Sequence, residues 1–125
     1  MQNTVSILRS KYADVQDVWF FVKSNYRIMY FNKKAASNSL LFHNKKLAAG
    51  DSILDYARDT ESNIDSEFIT NFGKCAAGSV ITEEKEIRFK DHLIFTRSTY
   101  TPIYDHDKLL GISILVEVIT VSEQS

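Results

Sequence analysis

The spacing of apolar residues changes twice along the chain, and each change marks a different kind of element. Val5, Leu8, Tyr12 and Val15 recur at steps of three and four, which predicts an amphipathic helix over Thr4 to Val15 that needs a surface to cover. Val18 to Lys23 and Tyr26 to Phe31 are rich in aromatic and β-branched residues and flank the turn signal Ser24-Asn25, so they read as an antiparallel hairpin. Asn32 then follows at once as an N-cap for a short helix through KKAASNSLL. In the middle of the chain Gly50 is expected to end a helix. Asp51 or Ser52 is expected to cap the turn ILDYA, and Ser62 to Asp65 matches a capping box with Asp in place of Glu. Ile64, Phe68, Phe72, Cys75 and Ala76 fall on one stripe, with Gly78 as the stop, and define the longest helix.

Beyond Gly78 the period becomes two. Strands are predicted over Val80 to Phe89, Leu93 to Ile103 and Leu109 to Thr120, separated by turns at Lys90-Asp91 and at Asp105-His106-Asp107. In the last strand Leu110, Ile112, Ile114, Val116 and Val118 share a face that must be buried. The opposite face carries Leu115 and Ile119 beside Ser113 and Glu117, and the N-terminal helix is the candidate to cover it. The economical fold is α+β: a five-stranded antiparallel sheet with helices on one face, plus the N-terminal amphipathic helix.

Composition narrows the functional classes. At 125 residues one domain is the expectation. With 44% hydrophobic and 25% charged residues, four glycines and one proline, the chain is globular in composition. Its longest aliphatic or aromatic run, Val18 to Val22, is far too short to span a bilayer, so no membrane association is expected. A lone cysteine, Cys75, excludes an intrachain disulfide and fits a reducing, cytoplasmic setting. The formal net charge of -1 argues against nucleic acid as a partner. Charge is nonetheless uneven: residues 1 to 50 carry eight Lys or Arg against Asp14 and Asp17, whereas fourteen acidic residues oppose seven basic ones in the remainder.

Three stretches in this order, KSNYRIMYFNKKA, GDSILDY and TYTPIYDHDKLLGISILVEVIT, give the chain a resemblance to the PAS sensory domains of bacterial signalling proteins over about Val15 to Thr120. Asn32 matches the Asn that commonly follows the second strand, and Gly111 the Gly early in the last. Lys23 stands where that family usually has an acidic residue, and Val118-Ile119-Thr120 stands where it closes on Asp-Ile-Thr. The resemblance implies a sensory or dimerisation module, homodimeric and cytoplasmic. It is expected to be the N-terminal PAS domain of a sensor histidine kinase or similar two-component regulator, with residues 1–15 as its N-terminal helix, 16–120 as its core and 121–125 leading to an output domain.

Chemistry is sparse. His43, His92 and His106 show no metal-ligand spacing, and no nucleophile elbow, Walker loop or dinucleotide fingerprint occurs, so neither a metal site nor an enzyme is expected. The haem branch of the resembled family uses a His on the long helix, and the flavin branch a Cys before it. The chain has neither, which disfavours haem and covalent flavin and leaves an unknown small ligand between sheet and helices. Arg97 shares strand parity with Leu93 and Phe95. If that pair marks the inner face, its guanidinium points into the pocket and selects an anionic metabolite; otherwise it points outward and pairs with Glu84 or Glu86. Tyr56, Phe72 and Tyr100 are the other candidate ligand-binding residues, as pocket walls.

Overall fold

A computed structural model describes residues 4–56, 66–89 and 92–123. The elements run α1 (Thr4–Tyr12), β1 (Val18–Val22), β2 (Ile28–Phe31), α2 (Lys33–His43), a 3-10 turn (Ile53–Asp55), α3 (Ser66–Ala76), β3 (Ile81–Phe89), β4 (His92–Asp105) and β5 (Lys108–Glu123). The expected Ser62 to Asp65 capping box, Ile64 and the Lys90-Asp91 turn lie outside the described residues.

All five strands form one antiparallel sheet in the order β2-β1-β5-β4-β3. The central place falls to β5, whose apolar residues serve both faces. Even-numbered Ile112, Ile114 and Val116 point to α2 and α3, together with Val18, Phe20 and Val22 of β1. Odd-numbered Leu115 joins Trp19, Phe21 and Ile103 on the other side, where Val5, Leu8 and Tyr12 of α1 cover them. β1 reads VWFFV because both of its faces are covered, leaving no place for a polar stripe.

Local signals hold in detail. Asn32 caps α2 by accepting from the Ala35 amide, and Ser52 caps the 3-10 turn by accepting from Leu54. α3 buries Phe68, Phe72 and Cys75 on one stripe and stops at Gly78 (φ +115), which a side chain would strain. Gly50 departs from expectation. α2 closes at Asn44 in the left-handed conformation, and Gly50 instead belongs to a turn whose amide donates to the Ile28 carbonyl at 2.7 Å. Gly111 is required by close approach, since a Cβ there would lie 2.7 Å from both the Phe21 ring and the Val22 carbonyl oxygen.

Candidate functional site

The space between the sheet and α3 holds a ladder of aromatic rings. Phe72 lies 4.7 Å from the Tyr26 ring and 5.7 Å from Phe68, and Phe68 lies 5.9 Å from Tyr100, measured between centroids. Phe72 and Tyr100, two of the expected pocket walls, are therefore brought together, but in contact with these rings rather than around an open space. Tyr56 sits at the margin of the same core. Its hydroxyl donates to Asp51 Oδ2 at 3.1 Å, and Lys45 Nζ lies 5.2 Å above its ring. Burial, then the Asp51 hydrogen bond, raises its pKa. Its visible task is to pin the loop that carries the 3-10 turn.

Arg97 is not in this place, which corrects its candidacy as the anchor of an anionic ligand. It lies on the outer side of the sheet, half exposed, where Nε and Nη2 donate to Glu84 Oε1 at 3.3 and 3.1 Å, with Glu117 opposite on β5. The physical reason is that both sheet faces are partly apolar, so the pair Leu93 and Phe95 does not mark the inner one. Arg97 shares its parity with Ile103, which belongs to the outer cluster, while buried Thr96 and Tyr100 alternate with it.

The outer face is where the polar chemistry concentrates. Asn32, 4% exposed, uses its whole side chain. Oδ1 accepts from the amides of Trp19 (3.2 Å) and Ala35 (2.9 Å), and Nδ2 donates to the carbonyls of Tyr12 and Asp17, both at 2.8 Å. Two donors facing Oδ1 and two acceptors facing Nδ2 permit only this amide orientation. One residue thereby ties the end of α1, the start of β1 and the N-terminus of α2. Beside it the Tyr12 ring stacks on Trp19 at 5.6 Å, Trp19 Nε1 donates to Ser113 Oγ at 2.8 Å, and the Arg9 guanidinium lies 4.0 Å from the Tyr30 ring centre. The cap was legible in the sequence, but the bonds to residues 12, 17 and 19 were not.

Sequence reasoning also passed over a cleft of about 340 Å³ between α3 and β3, lined by Ser66, Glu67, Thr70, Asn71, Thr82 and Glu83. Glu83 has the parity of core-facing Ile81, so a carboxylate on the helix side of an otherwise ordinary strand was the available signal.

Cys75 is buried, and burial pushes its thiol up to about 11. Its alkylation by iodoacetamide in native protein at neutral pH should be at least tenfold slower than in urea, as read by intact mass; equal rates would contradict this placement. Among the described residues no group of three His, Cys, Asp or Glu is arranged to hold a metal ion, and no helix is long and apolar enough to cross a membrane.

No protein-family model and no curated protein matches the chain. Solved structures do. The PAS domain of a protein from Colwellia psychrerythraea aligns with a TM-score of 0.63 at 23% identity, over 93% of this chain and 98% of its own. A sensory box sensor histidine kinase from Vibrio cholerae gives 0.57 at 16%, over 94% of both chains. The PAS domain of Bordetella pertussis BvgS gives 0.58 at 12%, over 92% of this chain and 84% of that one. A sheet ordered β2-β1-β5-β4-β3, with α2 and α3 on one side and shared almost end to end with these domains, identifies the architecture of this chain as the PAS fold.

Proposed function

We propose that the chain is a sensory and dimerisation module of a signal-transduction protein such as a sensor histidine kinase, with no catalysis of its own, acting through α1. The observation that carries this reading is the seat of α1. Val5, Leu8 and Tyr12, whose ring stacks on Trp19, the Arg9 guanidinium over the Tyr30 ring and the Nδ2 group of Asn32 hold it on the sheet, so its contact is small beside the core it covers. A small docked element is what a module needs if a partner or a stimulus is to shift it. Ile7 of α1 is 51% exposed, and Val118 and Ile119 are exposed on β5, leaving apolar surface for a second copy. The buried free thiol fits a reducing compartment. The names of the similar domains, a sensory box histidine kinase among them, support the same reading by fold.

Analytical ultracentrifugation tests it. The full chain should dimerise at high micromolar concentration, and Ile7→Glu, a change at an exposed site, should return it to monomer with an unaltered circular dichroism spectrum. A strict monomer in the parent, or an equally strong dimer in Ile7→Glu, would remove dimerisation through α1 from the proposal.

A further inference from the structure

We propose that the outward face of α2 docks on the anionic headgroups of a lipid membrane, with Leu40 and Leu41 entering the interface and lysines at both ends of the helix holding it there. The uneven charge of the chain is the starting point. Residues 33–50 hold four lysines, Lys33, Lys34, Lys45 and Lys46, and no Asp or Glu. Helical spacing decides where they stand. Ala35 and Ser39 are buried and mark the side of α2 that meets the sheet. Lys33, Ser37, Leu40, Leu41 and Asn44 follow one another on the opposite side, all exposed. Leu40 is 57% and Leu41 59% exposed, so two adjacent apolar side chains stand on the convex side of the helix. A convex apolar pair bounded by cations suits a deformable headgroup layer that closes around it, whereas a folded protein partner would need a matching hollow.

Two of the lysines have carboxylate neighbours. Lys33 Nζ lies 3.1 Å from Asp14 and Lys45 Nζ 3.4 Å from Asp55, in exposed pairs that are weak in water and leave both ammonium groups open to phosphate. Lys34 and Lys46 have no carboxylate partner among the described residues. The rest of the molecule sets the orientation. α2 packs on β1, whereas the exposed acids Glu67, Glu84 and Glu86 lie on α3 and β3, with β5 and β4 between. A negatively charged surface therefore attracts the α2 side and repels the β3 side. No described helix is long and apolar enough to cross a bilayer, but lying on one takes only a face. This face is across the sheet from α1 and does not depend on that helix.

The test is co-sedimentation of the full chain with phosphatidylcholine vesicles, with and without about one third phosphatidylserine. The chain should bind the anionic vesicles only, and less tightly as salt is added. Lys34→Gln and Lys46→Gln should each weaken partition about fivefold, and Leu41→Ser about tenfold. Lys108→Gln, an exposed change at the β4–β5 turn, should leave it unaltered, and circular dichroism should be the same for all four variants. Failure to bind anionic vesicles, or equal binding by Lys46→Gln and Leu41→Ser, would overturn the proposal. Two other results would also overturn it by naming a different occupant. Loss of self-association in Leu41→Ser without vesicles would make the face a contact between copies, and preference for a poly-glutamate peptide over the vesicles would make it a site for an acidic protein.

Discussion

Asn32→Ala should lower the unfolding free energy by about 3–4 kcal/mol, a large share of the 5–15 kcal/mol that holds a domain of this kind together. Loss of the α2 cap accounts for about 1 kcal/mol of this. The remainder comes from leaving the buried Trp19 amide and the partly buried Tyr12 and Asp17 carbonyls without their partner. Asn32→Asp separates the two halves of the role. A carboxylate of the same shape can still accept from Trp19 and Ala35, so the cap persists, but it cannot donate, and it sets negative charge against two carbonyl oxygens. α1 should then be released ahead of the core and become the first site of limited proteolysis, while urea unfolding of Asn32→Ala reports the full loss. A loss below about 1 kcal/mol in Asn32→Ala would mean that water replaces the side chain and that Asn32 is a cap and nothing else.

Phe72→Ala should cost about 3–5 kcal/mol, because the ring is fully buried and contacts aromatic neighbours on both sides. One of those neighbours raises the stakes. Tyr26 occupies the left-handed region (φ 72), unusual for so large a side chain, and it is kept there from three directions. Its amide donates to the Lys23 carbonyl, its carbonyl accepts from Ile53, and its ring rests on Phe72. Removing the Phe72 ring thus withdraws one of the restraints on the β1–β2 turn as well as leaving a void. Phe72→Leu, which keeps most of the volume, should lose about 1.5 kcal/mol or less. Guanidinium unfolding of the two variants checks the contrast, and equal losses would show that the site collapses freely and that the aromatic contacts carry no special weight.

The sequence made element type readable wherever periodicity was long and unbroken. The stripe of α3 and the Asn32 cap each follow from neighbours a few residues apart, and the structure has both. The expected buried face of β5 holds only for Ile112, Ile114 and Val116: Leu110, next to a register shift against β4, packs with the outer cluster, and Val118 is exposed. What pairing at a distance decides was not readable. Arg97 shows the limit: parity tells which residues share a face, but with apolar positions on both faces it does not tell which face meets α3. The extra residue that β5 inserts opposite Phe95 and Thr96 further separates local alternation from global register. For the same reason Tyr56 was legible as an aromatic near the core but not as the hydroxyl that holds Asp51. The cleft that Glu67 and Glu83 line is formed by α3 and β3 together, so neither residue looks unusual alone.

The bond from Trp19 to Ser113 spans 94 positions of sequence, and β1 and β5 are neighbours at the heart of the sheet. During synthesis, β1 and β2 leave the ribosome with an apolar strand edge whose partner on β5, at Ser113, lies 94 positions further along the chain. Closing the sheet is therefore a late, long-range event that pays its loop entropy all at once, and it sets a slow limit on how fast this domain matures. Until β5 arrives, Trp19 and Phe21 are open to other chains, and a product cut short before Ile112 would keep them so permanently.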